Sequence, residues 1–252
     1  MPLRSEEAAS LLVTEGSDLL TLLKAATELN DHARPDKWVT YSRKAFIPLT
    51  NLCMDRCGYC TFVKGPRQKD AYTMSPEDVL RVVRRASTLG CKEVLISLGD
   101  HPERRHPEMA ELLHSLGFDS TPEYVAYISR MIVEETGLLP HTNCGTLDGG
   151  EIEAIARWNV SMGLMLESTS IRLHERGEAH YGTETKLPEK RFNTLILAAR
   201  HGVAMTTGIL IGIGENVLER AESLIAIERH HEEFGNIQEV IIQNFRAKRS
   251  TR

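Results

Sequence analysis

The sequence predicts an α/β protein that forms a partial (βα)6 barrel with an extra helix at its N-terminus. Its 252 residues suit one barrel domain, which typically needs about 250 residues. From residue 41 onward, short apolar stretches alternate with amphipathic stretches, a pattern that indicates parallel βαβ units. A doubly wound nucleotide-binding sheet is the alternative, but it usually carries a glycine-rich turn after its first strand. This sequence has cysteines there instead, so we favour the barrel.

The N-terminal segment predicts one long helix over residues 5–30. Leucine and alanine repeat there at helical spacing and form one apolar stripe, made of Leu19, Leu22, Leu23, Ala26 and Leu29. The stretch at residues 34–36, which contains a proline, ends the helix. We therefore expect residues 1–40 to be a helical extension packed outside the barrel, and residues 41–252 to form the barrel domain.

Six apolar stretches are predicted to be strands, at residues 45–50, 93–98, 138–143, 160–167, 203–213 and 239–244. Helix start signals lie between them. Ser75 is a predicted N-cap with Pro76 at the first helical position, and Thr121 begins another helix in the same way. Asp148 and Glu151 have the spacing of a capping box. Further helices are predicted over residues 189–201 and 216–234.

The charge and composition of the chain indicate which kinds of partner are not expected. The formal net charge is −5, which gives no reason to expect nucleic acid or an anionic membrane. Two basic loop stretches, residues 64–69 and 104–106, have no interleaved aromatic side chains and are interpreted as solvated surface. No apolar run is long enough to span a bilayer, and the first residues lack a signal-peptide layout. We therefore expect a cytoplasmic protein, whose reducing compartment would keep the cysteines reduced.

Three of the five cysteines fall within eight residues: Cys53, Cys57 and Cys60. A loop this short allows all three thiolates to turn toward one point. A tetrahedral zinc site needs a fourth ligand, and no second pair of Cys or His follows at matched spacing. An iron–sulfur cluster held by three cysteines leaves one iron free for another molecule. The spacing therefore indicates a four-iron cluster, with a structural metal knuckle or simply buried cysteines as the alternatives.

This loop, in which the aromatic residue Tyr59 precedes the last cysteine, resembles the cluster-binding loop of the radical SAM superfamily. The resemblance implies a TIM-like partial barrel, with a [4Fe-4S] cluster and S-adenosyl-L-methionine (SAM) as cofactors. It also implies a one-electron reductant as a partner, and cleavage of SAM to a 5′-deoxyadenosyl radical. The cofactors carry this chemistry, while the protein positions the parts and excludes water.

The same resemblance implies an adenine-contacting strand at residues 208–215. Gly208, Gly212 and Glu215 match the superfamily's glycine-rich pattern there, and glycine lets a flat ring lie close to the backbone. Val217 stands where the third glycine of a dinucleotide fingerprint would fall, so that interpretation is excluded. The alternative is that these glycines mark tight packing of the strand.

Three further residues at strand ends are candidates for binding SAM. Glu167 ends the fourth strand and can accept hydrogen bonds from the ribose hydroxyls or the amino group, unless it merely pairs with a neighbouring arginine. Asp100 follows the second strand, where the superfamily often has a Gly-Gly-Glu turn for the methionine amino group. Asn244 ends the sixth strand, where the superfamily often contacts adenine through backbone groups. No side chain is assigned to the catalytic step itself.

Longer stretches resemble the FO synthase family in its first subunit or half, the 7,8-didemethyl-8-hydroxy-5-deazariboflavin synthases. They lie at residues 41–62, 98–103, 134–141, 161–170, 180–182, 207–215 and 237–248. The resemblance implies hydrogen abstraction from a tyrosine-derived adduct of 5-amino-6-(D-ribitylamino)uracil. Ring closure and loss of ammonia then give the deazaflavin chromophore FO. It also implies a second radical SAM subunit, or a fused half, that makes the adduct.

The sequence departs from this family at two points. The family usually continues past the sixth strand, so we expect the sixth crossover helix and the segment that covers the barrel mouth to be missing. Cys144 stands where the family more often has proline, which removes a backbone restraint. Three alternatives remain: another radical SAM enzyme (the partner half or a menaquinone-pathway relative), a non-catalytic remnant, and a metal-independent barrel with incidental cysteines.

Overall fold

The computed structural model of the protein describes residues 3–249 and 251. Six parallel strands form one sheet in which neighbours in space are also neighbours in sequence. This sequential order confirms the partial barrel and excludes the doubly wound sheet, whose strand order reverses at a switch point. The strands are β1 (Lys44–Thr50), β2 (Glu93–Leu98), β3 (Leu139–Asn143), β4 (Ser161–Gly163), β5 (Met205–Ile211) and β6 (Ile237–Asn244).

Eight α-helices accompany the sheet in the described part of the chain. They are α1 (Ser5–Leu12), α2 (Gly16–Ala33), α3 (Pro76–Thr88), α4 (Pro107–Leu116), α5 (Thr121–Thr136), α6 (Gly149–Ala156), α7 (Pro188–Arg200) and α8 (Val217–Phe234). The predicted capping signals are confirmed, since Ser75 caps α3 and Asp148 caps α6, each in a full capping box. Gly137 and Gly235 end α5 and α8 in the left-handed conformation, which glycine adopts without strain.

Two predictions about these elements were wrong, and one helix was not predicted. The single helix over residues 5–30 is two helices, separated at a turn before Gly16, whose φ is +58°. The fourth strand is only three residues long, because the chain after it leaves the ladder and pairs again only at Glu167. An apolar run signals burial but does not by itself specify pairing. Helix α4 was missed, although its Met109 and Leu113 are buried.

The core lies between the sheet and the helices that cover its outer face. Its largest fully buried side chains include Tyr124 from α5, Ile96 from β2 and Ile152 from α6. Burying each such apolar side chain contributes about 1.5–3 kcal/mol. This packing fixes the strand ends from which the loops of the candidate site begin.

The N-terminal helices lie outside this core. Helix α1 packs against α8, whereas α2 buries none of its residues. Leu23 and Leu29 of the predicted apolar stripe are 54% and 73% exposed, so the expectation that α2 packs against the barrel was wrong. The division into an extension over residues 1–40 and a barrel domain over residues 41–252 stays a prediction. In the described residues, no helix has both the length and the apolar character needed to cross a bilayer.

Candidate functional site

The carboxyl ends of the first four strands meet around a cavity of about 220 Å³. Cys53, Cys57 and Cys60 line it from the loop after β1. The other strand ends add Gly99 and Asp100 after β2, Asn143 at the end of β3, and Met165 and Glu167 after β4. Residues that are up to 138 positions apart in sequence, from Cys53 to Arg191, thus face one space. This is the edge at which the chemistry of such barrels is built.

Cys53 is held tightly by its surroundings. Its Sγ accepts hydrogen bonds from the backbone N–H groups of Asp55 (3.3 Å) and Asp100 (3.2 Å). A Cβ added to Gly99 would lie 2.5 Å from Cys53 Cβ and 2.1 Å from the carbonyl oxygen of Leu52, so only glycine fits there. Burial raises the pKa of the Cys53 thiol to about 12. A metal bound nearby would stabilise its thiolate, because a bare buried anion is strongly disfavoured.

The three thiols fit an iron–sulfur cluster better than a single ion. Burial also raises the pKa of Cys57, to about 11, and all three cysteines are free thiols. Among residues 3–249 and 251, no three His, Cys, Asp or Glu side chains are gathered closely enough to hold one metal ion. Thiolates that surround a shared cavity instead match a cluster of several irons, which is ligated by cysteine. Cys144 lies apart from them, buried in the hydrophobic core.

Glu167 points a carboxylate into the same cavity. Its φ of +67° is in the left-handed region, where a non-glycine residue is strained. Backbone hydrogen bonds to β5 hold it there, from Glu167 N–H to the Gly208 carbonyl (3.0 Å) and from Leu210 N–H to the Glu167 carbonyl (2.9 Å). The side chain is buried, and its Oε1 lies 2.6 Å from Nζ of Lys186. Its Oε2 has no hydrogen-bond partner in the described structure.

Sequence reasoning missed several charged residues that complete the cavity wall. Lys186, Arg191 and Asp55 line it, and Arg191 is only 4% exposed. The Nε of Arg191 has no hydrogen-bond partner within the described residues. Asp55 accepts a hydrogen bond from Thr185 Oγ1 (2.5 Å), and burial raises its pKa. Lys186 and Arg191 come from a loop and a helix start without a local motif, so only the fold identifies them.

The carboxylate of Asp100 is already engaged within the protein. It accepts hydrogen bonds from the Thr146 backbone N–H (2.9 Å) and hydroxyl, and from Nδ1 of His101 (2.7 Å). The other ring nitrogen of His101 lies 3.1 Å from Glu151. Burial alone would lower the pKa of His101, but the two carboxylates outweigh it and raise that pKa to about 9. Asp100 lines the cavity, and its carboxylate anchors an internal charged network.

The glycine-rich strand divides into two parts. A Cβ on Gly208 would lie 1.9 Å from the carbonyl oxygen of Ile241 on β6, so this glycine allows tight strand packing. Gly212 has a φ of +94° and begins a turn. Glu215 holds that turn by accepting hydrogen bonds from the backbone N–H groups of Gly212 and Ile213, both at 2.9 Å. Arg220 pairs with the same carboxylate at 2.8 Å.

This turn and the end of β6 border a second cavity, of about 360 Å³. Gly212, Ile213 and Phe245 line it, together with Tyr59 from the cysteine loop. Asn244 precedes Phe245 at the exposed end of β6 and does not line either cavity. Tyr59 lines both cavities. It therefore forms the wall between the cysteines and the glycine-rich turn.

Tyr59 is fixed by aromatic neighbours. Its hydroxyl lies 3.2 Å from Nε2 of His180, and its ring lies edge-on to Phe245 with 6.4 Å between centroids. His180 is fully buried, and burial lowers its pKa to about 3. His180 is therefore neutral at physiological pH, and its Nε2 can accept the Tyr59 hydroxyl proton in a hydrogen bond.

The sequence profile of the radical SAM superfamily matches residues 47–226. This match covers every strand end that lines the cysteine cavity. The chain belongs to the radical SAM superfamily. Membership implies a [4Fe-4S] cluster and SAM, and the three cysteines that share one cavity fit that cluster. Buried Glu167 and Arg191, with the half-buried Lys186, supply charges of both signs beside it, which suits a zwitterionic cosubstrate.

Two named relatives are similar to this radical SAM chain over most of its length. It is 48% identical over 259 aligned positions to a protein named FO synthase from Nocardia farcinica (strain IFM 10152), covering 99% of this chain and 30% of the relative. It is 46% identical over 210 positions to the 7,8-didemethyl-8-hydroxy-5-deazariboflavin synthase of Methanopyrus kandleri, covering 83% of this chain and 63% of the relative. The chain thus spans about a third of the FO synthases it matches.

The fold also matches solved structures. The maturase HydG from Carboxydothermus hydrogenoformans superposes with a TM-score of 0.78 at 18% identity. The match covers 99% of this chain and 55% of HydG. At that identity the likeness supports the fold alone, and it agrees with the partial barrel that the sequence predicts.

Proposed function

We propose that this radical SAM chain carries out the FO-forming step that its relatives' names describe. The step is hydrogen abstraction from a tyrosine-derived adduct of 5-amino-6-(D-ribitylamino)uracil, then ring closure with loss of ammonia. Identity of 48% across nearly the whole chain is the observation that carries this proposal. A second radical SAM subunit or fused half would supply the adduct, and the protein would work in the cytoplasm with a one-electron reductant.

The cluster site in this proposal is Cys53, Cys57 and Cys60. When bound there, the cluster and SAM supply a 5′-deoxyadenosyl radical that removes a hydrogen atom from the substrate. The Asp55 and Asp100 backbone N–H groups that reach Cys53 would orient its thiolate and reduce its charge. Hydrogen bonds to cluster sulfurs are one of the ways in which a protein sets a cluster's reduction potential.

The amino-acid end of SAM would bind beside Glu167. The free Oε2 of Glu167 can accept from the ammonium group or from a ribose hydroxyl. Lys186 and Arg191 could both donate to the carboxylate, since both residues line the same cavity. Charge-assisted hydrogen bonds of this kind are short and strong in a buried site. Asp100 would act on the methionine end through its backbone, because its carboxylate is occupied.

The adenine would lie near the second cavity, between Tyr59 and the glycine-rich turn. Gly212 leaves the backbone accessible there, and Glu215 holds the turn that presents it. Gly208 would contribute by keeping β5 and β6 close together, and the segment from Asn244 onward by its backbone groups. In this arrangement, the predicted SAM residues divide into those that touch the cosubstrate and those that shape its site.

The direct test is product analysis under anaerobic conditions. The iron-loaded chain is incubated with the ribitylaminouracil–tyrosine adduct, SAM and a reductant, and 5′-deoxyadenosine and FO are followed by mass spectrometry. The proposal expects both products from the wild-type chain and neither from Cys57→Ala. If 5′-deoxyadenosine forms only with a different substrate, another radical SAM reaction on the same barrel is favoured instead.

A further inference from the structure

The inner face of the sheet carries a band of polar and small residues. In a closed barrel, bulky branched side chains fill the inward positions and make them a packed core. In this barrel, one inward position on each of the strands β2 to β6 is instead polar or has no side chain. We call these five residues the inner polar row: Ser97, Asn143, Gly163, Thr206 and Glu239.

The strand register and the contacts place the row around the barrel interior. Ser97 lies opposite Asn143 on the neighbouring strand, and both residues line the cysteine cavity. Thr206 lies opposite Glu239, and its Oγ1 donates a hydrogen bond to Oε2 of that residue (3.2 Å). The row therefore runs from the cysteine cavity at β2 and β3 to the last strand, β6.

Gly163 leaves a recess in the middle of this row. A Cβ there would lie 3.5 Å from Cβ of Asn143 and 3.0 Å from Nε2 of His141. Thr206 lies opposite Gly163 on the other side. Neighbouring strands are about 4.8 Å apart, so the recess gives a ligand roughly 10 Å between Asn143 and Thr206. Nδ1 of His141 lies 2.7 Å from Ser161 Oγ, which leaves its Nε2 to face the recess.

The groups of the row have hydrogen-bonding capacity that the protein does not use. Within the described part of the chain, the side chains of Ser97 and Asn143 form no hydrogen bond with other residues. Glu239 is exposed, and only its Oε2 accepts a hydrogen bond from a described residue. Hydroxyl and amide groups can each donate and accept, and a carboxylate accepts. The row therefore offers several donors and acceptors to a ligand in the recess.

These groups define the class of ligand. A polyol chain carries hydroxyl groups that each donate and accept, so it can bond to every kind of side chain in the row. The row contains no cation, and Lys44 on β1 pairs with Glu93 instead (3.0 Å). A phosphate group would meet the carboxylate of Glu239, and like charges at close range are unfavourable. The recess therefore suits an uncharged polyol and disfavours a sugar phosphate.

We propose that the inner polar row binds the ribityl chain of the uracil adduct, with Asn143, Thr206 and Glu239 hydrogen-bonded to its hydroxyl groups across the Gly163 recess. This proposal rests on the proposed FO-forming function and names the residues that would select its substrate. The row begins at the cysteine cavity, so a ligand anchored there keeps its reacting end beside the cofactors. The subsite selects the unesterified ribityl chain over its 5′-phosphate ester.

The test measures binding of the adduct and does not depend on turnover. The iron-loaded full chain is given SAM but no reductant, so that no radical forms, and Kd is measured by anaerobic calorimetry. Two ligands are compared: the ribitylaminouracil–tyrosine adduct and an analogue with a methyl group in place of the ribityl chain. We expect wild type to bind the adduct at least about tenfold more tightly than the analogue. Thr206→Val and Glu239→Gln should each weaken binding of the adduct at least about threefold, and binding of the analogue less than about twofold.

Three controls separate ligand binding from damage to the barrel. Iron content and the Kd for SAM should match wild type in both variants, because neither Thr206 nor Glu239 lines the cysteine cavity. Thr27→Val makes the same change at an exposed position of α2 and should leave the Kd of both ligands unchanged. The 5′-phosphate ester of the adduct should bind wild type at least about tenfold more weakly than the adduct, and Glu239→Gln should narrow this gap.

The possible failures are distinguishable. If wild type binds adduct and analogue equally, or if both variants weaken the two ligands equally, the ribityl subsite is overturned while the FO-forming function stands. A phosphate ester that binds wild type as tightly as the adduct overturns the subsite as well. A wild-type chain that binds neither adduct nor analogue contradicts the FO-forming function itself, and the subsite fails with it.

Discussion

The backbone N–H of Asp100 donates a hydrogen bond to Sγ of Cys53 across 3.2 Å. In return, the Asp100 carbonyl accepts from the backbone N–H of Met54 at 2.9 Å. His106 reaches the same loop, with its Nε2 3.1 Å from the Cys53 carbonyl oxygen. The segment after β2 therefore fixes the position of the first cysteine. Changes in that segment should alter how well the cysteine loop binds iron.

Gly99→Ala tests this contact most simply. The added methyl group would lie 2.1 Å from the Leu52 carbonyl and 2.5 Å from Cys53 Cβ, so the two loops must separate. We expect a loss of about 1–3 kcal/mol in the free energy of unfolding, measured by urea denaturation, together with lower iron content after reconstitution. Gly150→Ala is the matched control, because its Cβ would meet only Asp148 at an ordinary 3.5 Å. Equal stability of the Gly99→Ala chain would contradict the contact.

The His101 network predicts a pH-dependent contribution to stability. The pKa of His101 is raised from 6.5 to about 9 by hydrogen bonds to Asp100 and Glu151, which outweigh burial. Its stabilisation is therefore fully present below about pH 6.5 and is lost as the pH rises through about 9. The free energy of unfolding of wild type exceeds that of His101→Gln at low pH. We expect this difference, measured by urea denaturation, to shrink by about 3 kcal/mol across this pH window. His114→Gln, at a position with 65% exposure, is the control, and its stability relative to wild type should not change with pH in this way. A pH-independent difference between wild type and His101→Gln would contradict the role of this network in stability.

Glu167→Gln addresses the SAM-binding carboxylate. The change keeps the shape but removes the charge that faces Lys186 at 2.6 Å. We expect the Kd of the iron-loaded chain for SAM to rise at least about tenfold, equivalent to about 1.4 kcal/mol, in anaerobic equilibrium dialysis. Glu184→Gln, at an exposed site on the same loop, is the control and should bind SAM normally. Unchanged affinity in Glu167→Gln would show that this carboxylate only neutralises Lys186.

Arg191→Met should have opposite effects on stability and on binding. Arg191 is 4% exposed and its Nε has no hydrogen-bond partner among the described residues. Replacing such a group by an apolar side chain of similar length should stabilise the cofactor-free chain by about 1–3 kcal/mol. The same change should weaken SAM binding, since a carboxylate-binding donor is lost. A variant that is less stable and binds SAM normally would mean that Arg191 has a purely structural role.

Much of the fold follows from local sequence signals. Ser75 and Asp148 mark helix starts by capping chemistry that acts within a few residues, and the structure confirms them. The short length of β4 and the lack of buried residues in α2 were not predictable in this way. Both depend on contacts with distant parts of the chain, which an apolar pattern alone does not specify.

The candidate site divides along the same line. The three cysteines carry their signal in their spacing, and the structure brings them to one cavity. Glu167 was predicted from its place at a strand end, whereas Lys186 and Arg191 were missed because the segment around them has no motif. Glu215 matched a family pattern, and its carboxylate accepts hydrogen bonds from the backbone of the turn at Gly212 and Ile213. Local sequence indicates residue type and periodicity, while the direction of a side chain is decided by packing.

Iron analysis of the purified, oxygen-protected chain shows whether Cys53, Cys57 and Cys60 hold a four-iron cluster. After anaerobic reconstitution, we expect about four iron ions per wild-type chain and a brown colour. Both should be lost in Cys53→Ser, Cys57→Ser and Cys60→Ser, whereas Cys91→Ser should keep its iron. A wild-type chain that stays colourless and iron-free under these conditions, or a chain that binds equal iron after all three changes, would show that these cysteines hold no cluster.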